Sequence, residues 1–444
     1  MTASLPASFV RFDPQRRASS PGLTATVREM IGAVEAFELE RHPRIRARGA
    51  SKRERFHEAL EAIACNVAGL ALDPLGRPLA VPRANNAMWD RSRYANPLYG
   101  QTFRDALGLM EDPALGLVET VTQGFNYRGG ASAPSTIQPT SAFNSLFLPS
   151  SVTWDGFRRE REHEVLIKRA PKAPGAEQGE LEEYRDDAHS RGLRHEVECI
   201  NEWLTAAPFW LLPADGGLGL TPSGQPYDPT RRTVRRIFGN GRWDQGGRLY
   251  GGFWMTMPRE TRFRRLRIAS RQHPAGEPVA NVDFRQFNLR AAYAHVNLRP
   301  PGGDLYDVRG DGSCRDGFKV LINAMLYASE PTVRLPEDAQ RVFPAGTKAR
   351  EVVAEVLHFH RPIADLFGTG LGFRMTAIES TILVEALAIL FKQGITALPL
   401  HDAVLVAASE AGRAQDAMEA AATFFAEEFR ARPAIEYSPF SSVT

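Results

Sequence analysis

Three cysteines in 444 residues, Cys65, Cys199 and Cys314, leave little scope for thiol chemistry. They are odd in number, far apart and form no Cys-x-x-Cys pair. A disulfide framework and zinc held on thiolates are therefore not expected, and a reducing compartment fits best. Long apolar runs are missing too: none approaches the roughly 20 residues that span a bilayer. The first 22 residues are interrupted by Pro6, Pro14 and Pro21, carry Arg16-Arg17, and hold no apolar core of signal-peptide length. The expectation is a cytoplasmic monomer with no membrane association. No sign of charge dominates, since 54 Lys+Arg face 52 Asp+Glu for a net +2. One stretch has no lysine although it is densely basic. From Arg231 to Arg271 stand twelve arginines, among them Arg235, Arg236, Arg248, Arg259 and Arg264, against only Asp244 and Glu260. Arginine's forked donors suit phosphate oxygens, so this stretch reads as a nucleic-acid-backbone contact. An Arg-rich solvated face is the plainer alternative.

Patterning divides the chain into three expected parts. Residues 1–22 read as a disordered arm, 23–185 as a mostly helical N-terminal region of thumb-like or accessory character, and 186–444 as the unit that carries the chemistry. Val27, Ile31, Val34 and Phe37 recur at helical spacing, and Ser51-Lys52-Arg53-Glu54 looks like a capping box that opens the next helix. Residues 123–150 are polar and rich in Gly, Ser and Pro, which suggests a long surface loop before a strand at Ser151–Trp154. Ala170–Gly179 reads as a linker or an ordered turn, and Glu180 to Leu204 as a helix.

The chemistry-bearing residues lie further on. Val279–Phe284 is a β-type run that ends in Asp283, and Arg285 to Leu298 then reads as a helix. After a helix from Ala377 to Gln393, the segment Gly394–Val406 reads as a hairpin with His401 and Asp402 at its turn. Between these acids, Arg315, Lys319, Asn323 and Tyr327 fall four residues apart, one slanting polar stripe of a helix. Either Asp alone would read as a cap or a turn residue. Two strand-borne carboxylates opposite a cationic helix are what nucleotidyl transfer with two metal ions requires.

Together these residues resemble the palm and fingers of family A DNA polymerases and the related phage-type single-subunit RNA polymerases. Asp283-Phe-Arg-Gln-Phe-Asn-Leu-Arg290 is similar to that superfamily's first motif, Asp-Tyr-Ser-Gln-Ile-Glu-Leu-Arg. Arg315, Lys319 and Tyr327 match the second motif in type and spacing, and His401-Asp402 matches the His-Asp of the third. Gly247-Arg248, followed by Met257-Pro258-Arg259 and Arg264–Ile268, resembles the element that holds primer and template. The resemblance covers about 238–410. It implies an α+β fold: a right-hand polymerase palm with an antiparallel sheet, helical fingers, and a helical N-terminal region. It also implies template-directed nucleotide addition, with a nucleic-acid template and primer and dNTPs or NTPs as partners. Two Mg²⁺ ions, or Mn²⁺ in their place, would sit on Asp283 and Asp402.

By the same resemblance Arg315 and Lys319 hold the triphosphate, and Tyr327 packs on the nucleotide. His401 binds the primer-terminal phosphate, and Arg248, Gly247, Arg235, Arg236, Arg259 and Arg264 contact nucleic acid. Asn288 and Asn323 fall in the nucleotide pocket. Three positions depart from the family. Asn288 stands where DNA-synthesising members carry Glu, Asn323 where they often carry an aromatic ring, and Ala403 where Glu follows the third-motif Asp. A DNA polymerase of a phage, plasmid or other mobile element is the leading expectation. The alternatives are a single-subunit RNA polymerase or primase, and an inactive polymerase-like protein that binds nucleic acid. A His-Asp metal phosphohydrolase using His358 and His360 is the remaining competitor, and Glu379 is an auxiliary-acid candidate whose role is more simply structural.

Overall fold

The computed structural model describes residues 8–126, 132–147, 152–214, 217–332, 334–425 and 434–437. The chain is mixed α and β with antiparallel sheets, as the α+β expectation requires. Among the described residues no helix is long and apolar enough to cross a membrane. Two compact units emerge: Met1–Glu164 with Trp210–Thr233 and Gly251–Arg265, and Val165–Phe209 with Val234–Tyr250 and Leu266–Thr444. The first crossing thus precedes the expected boundary at 185/186, and the chain re-enters the first unit twice. No shift in composition announces these returns.

In the first unit, helix α1 (Pro21–Arg41) is capped by Ser20, whose hydroxyl accepts from the Leu23 amide at 3.3 Å. It buries Leu23, Val27, Met30 and Val34, the one-face spacing of an amphipathic helix. Helix α2 (Ala50–Ala68) buries Phe56, Leu60 and Ile63, but its N-cap is Gly49 with no side-chain cap, so the expected Ser51 box does not form. The region expected to be mostly helical also carries a sheet. A four-stranded sheet runs β1 (Val10–Arg11), β2 (Leu79–Val81), β4 (Ser135–Pro139), β3 (Val118–Thr122). Strands of two to five residues give too little alternation to read.

The disordered-arm expectation is also wrong for the described part. Val10 pairs with Leu79, Arg16–Ala18 pairs with Phe157–Arg159, and Asp13 is buried against Arg159 at 2.8 Å. Residues 1–7 lie outside the described residues. The expected 123–150 loop instead holds strands and a helix (Ser141–Phe147), apart from 127–131 and 148–150, which are not described. The strand expected at Ser151–Trp154 comes slightly later, at Phe157–Arg159.

In the second unit, β5 (Leu166–Lys168), β6 (Arg235–Phe238) and β7 (Gly246–Tyr250) form a small sheet. Ala170–Gly179 is an ordered turn, closed by Ala170 N–H to the Glu180 carbonyl at 2.9 Å. Helix α3 (Ala188–Ala206) starts later than expected, because Asp187 and Ser190 form a reciprocal capping box. The main antiparallel sheet sets β8 (Leu266–Ile268), β9 (Glu277–Asp283), β11 (Ala403–Ala407) and β10 (Ala397–Leu400) side by side. A further strand, β12 (Ala434–Tyr437), pairs with the opposite edge of β9 at Ala280–Asp283. Helices α4 (Phe287–His295), α5 (Arg315–Tyr327), α6 (Ala349–Phe359), α7 (Leu371–Lys392) and α8 (Ala411–Phe425) belong to the same unit, with α7 and α8 packed directly on strands of the sheet. The apolar spine of α7 (Met375, Ile382, Leu383, Leu387, Leu390) is buried, and α7 packs on α4, α5, α8 and β7. That packing fixes the helices around one end of the sheet.

Candidate active site

The site begins with strand register. β10 and β11 are joined by only two residues, His401 and Asp402, with Leu400 opposite Ala403. His401 takes φ +60°, the left-handed conformation that two-residue hairpin loops need at their first position; histidine tolerates it better than most side chains. Across the sheet, β9 runs antiparallel to β11 with Asp283 directly opposite Ala403. Directly opposed residues hold their Cα atoms about 4.5–5.5 Å apart, so Asp402, next along, neighbours Asp283. Both carboxylates line one cavity of about 900 Å³. Burial, and then the charge of Asp402, hold the Asp283 carboxyl above its ordinary range. Two acids forced together in this way form an all-oxygen donor set that a hard divalent cation would relieve, so the residues fit Mg²⁺.

Helix α5 faces the same cavity with all four residues of the expected stripe, Arg315, Lys319, Asn323 and Tyr327. Arg315 Nε donates to Asp304 Oδ2 at 2.6 Å, and Nη1 to Asp316 at 3.0 Å. The other Asp304 oxygen accepts from Gln286 Nε2 at 2.7 Å and from the Tyr306 amide at 2.9 Å. The Tyr306 ring lies beneath both cations, 5.7 Å from the Arg315 guanidinium and 6.0 Å from Lys319 Nζ. Burial is the main cause that pushes its hydroxyl up to about 12. Lys319 has no ion-pair partner among the described residues. Asn288 Nδ2 donates to Asn323 Oδ1 at 3.3 Å, and Asn288 Oδ1 and Gln286 Oε1 are buried acceptors without a partner among the described residues. The helix expected from Arg285 begins only at Phe287, because Gln286 adopts φ +61° to reach Asp304.

Tyr327 is fixed from two sides. Its hydroxyl meets Thr376 Oγ1 at 2.5 Å, and its ring stands edge-on to Phe373 at 5.1 Å. The ring also covers Gly372, where an added Cβ would come within 2.8 Å of it. Gly372→Ala should therefore displace the aromatic ring and cost about 1–3 kcal/mol by overpacking. Urea unfolding with and without a nucleoside triphosphate checks this, and a variant as stable as wild type contradicts it.

Arg248 lines the cavity as well, with Nε 2.8 Å and Nη2 2.5 Å from Glu379 Oε2. Glu379 is only 3% exposed. Burial first, and the charge of Asp402 against the pull of Arg248, leave it pushed up to about 7. A folded-state value above the ordinary 4.5 means the native chain keeps a proton that the unfolded chain has released. Stability should therefore fall as pH rises from about 4.5 through 7, then level off. Glu379→Gln should remove that slope, gaining on wild type at pH 8 relative to pH 5 in urea unfolding with EDTA. An equal difference at both pH values would refute this.

The remaining arginines fare differently. Arg236, expected on nucleic acid, is 2% exposed and bonds the Gly247 carbonyl (2.9 Å), Glu196 (3.0 Å) and Thr381 (3.1 Å). It anchors the small sheet, so the phosphate contact expected of it is corrected. Gly247, at φ +84°, sits where a Cβ would meet the Phe238 ring at 2.8 Å; its carbonyl also accepts from Ser380. Arg235 is exposed in the second unit, whereas Arg259 and Arg264 are exposed in the first. Arg262 and Arg265 are committed to backbone carbonyls. The twelve arginines are thus divided between the two units and between buried and exposed positions.

His401 is exposed, its ring 5.9 Å from that of Tyr250. His360 is buried between the Tyr293 hydroxyl and the Leu305 carbonyl, each at 3.0 Å, and burial pushes it down to about 4. Neither ring nitrogen is left for a metal, which takes His360 out of the phosphohydrolase alternative's ligand set. Asp304 and Tyr306 were missed in the sequence. Their only signal was an acid and an aromatic directly after Gly302-Gly303. Comparison with protein-family models gives no match, and no curated protein is similar to the chain.

Proposed function

We propose that the chain is a template-directed nucleotidyltransferase, a polymerase with a right-hand palm that works with two divalent cations. The observation that carries this reading is the β9–β11 register, which sets Asp283 beside Asp402 in a cavity walled by the Arg315–Lys319 face of α5. Asp283 and Asp402 hold Mg²⁺, or Mn²⁺ in its place. When bound, the ions supply charge neutralisation and activation of a hydroxyl nucleophile. Arg315, preset by Asp304, grips phosphate oxygens through its fork, and Lys319 adds a point charge and a proton for departing pyrophosphate. Tyr327 packs on the incoming nucleotide, with Asn288 and Asn323 at its sugar. Arg248 and His401 hold the primer strand. In its most specific form the protein is a DNA polymerase of a mobile element, phage or plasmid.

The test is synthesis itself. Primer extension and de novo assays with dNTPs and NTPs separately, on DNA and on RNA templates, should give a product complementary to the template in at least one combination. Pyrophosphate release that ignores the template, or none in any combination, rejects the proposal.

A further inference from the structure

A second basic cavity lies wholly within the first unit and plays no part in the reading above. It measures about 200 Å³, and its charged lining is Arg11, Arg16 and Arg231 against a single acid, Asp228. Three guanidinium groups on one carboxylate leave an excess of two positive charges. The acid is already committed: Asp228 Oδ2 accepts from Arg16 Nη2 at 2.6 Å, and Oδ1 accepts from the Thr230 amide at 3.0 Å and its hydroxyl at 2.5 Å. Nearby Asp13 accepts from Arg159 at 2.8 Å and more loosely from Arg231 at 3.5 Å, and Arg231 Nε lies 3.9 Å from Asp228, so each of these acids is matched by an arginine of its own.

Arg16 is only 5% exposed, yet its Nε–H has no partner among the described residues. A buried guanidinium with an unmade hydrogen bond is costly unless a ligand completes it. Arg16 is also held in place deliberately: Trp154 lies 5.4 Å away, and Nη1 passes over Gly69, where a Cβ would come within 2.6 Å. Arg11 is exposed, and no described residue pairs with its side chain.

From this geometry we infer that the cavity is an anion site that takes a phosphate monoester. A phosphate monoester carries about −1.5 to −2 charges near neutral pH, which matches the excess, and its oxygens suit the guanidinium fork. The cavity falls below the roughly 300–1,000 Å³ of sites that enclose a whole drug-sized ligand. It therefore holds a phosphoryl group and leaves whatever bears it outside. Free phosphate and the phosphorylated end of a nucleic acid share this chemistry.

Calorimetric titration of the full chain at constant ionic strength tests the site, using a Lys319→Ala background to weaken phosphate binding in the cavity beside Asp283. The probes are inorganic phosphate and one dodecamer with either a 5′-phosphate or a 5′-hydroxyl end. Arg11→Ala removes an exposed charge, and Gly69→Ala, at φ −63°, leaves the backbone unstrained while displacing the end of Arg16. Phosphate should bind the parent, and either variant should weaken it at least tenfold. Tighter binding of the 5′-phosphorylated than of the 5′-hydroxyl dodecamer, with the difference lost in both variants, assigns a nucleic-acid end, and equal binding of the two dodecamers assigns a free anion. No phosphate binding by the parent, or affinities within twofold of it in both variants, overturns the inference.

Discussion

Replacing Asp402 with alanine should lower the proposed template-directed incorporation by about 10³-fold or more and leave the chain folded. The size follows from the position of the residue. Asp402 sits in a two-residue turn beside Asp283, and electrostatic stabilisation of a developing charge by preorganised groups or metal ions is worth orders of magnitude in rate. The same substitution removes a like charge that raises both Asp283 and Glu379. In EDTA the variant should therefore be as stable as wild type or more so, the pattern of a site that gives up stability for function. Incorporation within tenfold of wild type would contradict the assignment. Loss of activity together with unfolding would mean that Asp402 holds the hairpin rather than the chemistry.

Lys319→Ala should raise the KM for the nucleoside triphosphate by about 10–100-fold, the equivalent of a charge-assisted hydrogen bond worth roughly 1.5–3 kcal/mol. Lys319 stands over the Tyr306 ring without an ion-pair partner among the described residues. Its charge is therefore available to a ligand at little rearrangement cost. Arg315 is held by Asp304 at 2.6 Å, so Asp304→Asn should give a smaller defect of the same kind by loosening the guanidinium. Lys319→Arg should restore part of the affinity, since the charge returns in a different shape. Steady-state kinetics on a primed template separate these effects. A KM unchanged in Lys319→Ala would remove α5 from substrate binding.

Much of this site could be read from sequence because its parts are local. A β-run ending in Asp283, a hairpin with His401-Asp402 at its turn, and four residues at helical spacing each leave a periodic trace. The register that joins them was an inference from chemistry, and the β9–β11 pairing supplies it. What escaped notice depends on distant partners. Asp304 and Tyr306 sit in a Gly- and Pro-rich connection with no period. Arg236 and Arg248 look alike in sequence, but one is sealed against Glu196 and Gly247 while the other reaches the cavity through Glu379. Counting arginines cannot separate a buried anchor from an exposed contact. The first unit hid its sheet for a related reason, since strands as short as Val10–Arg11 acquire their structure from pairing with Leu79–Val81.

Diffraction from crystals soaked with Mn²⁺ and a non-hydrolysable nucleoside triphosphate, recorded for anomalous scattering, tests the central claim most directly. Manganese should appear at Asp283 and Asp402, with the phosphates on Arg315 and Lys319. Manganese bound elsewhere, or two carboxylates too far apart to share an ion, would contradict it.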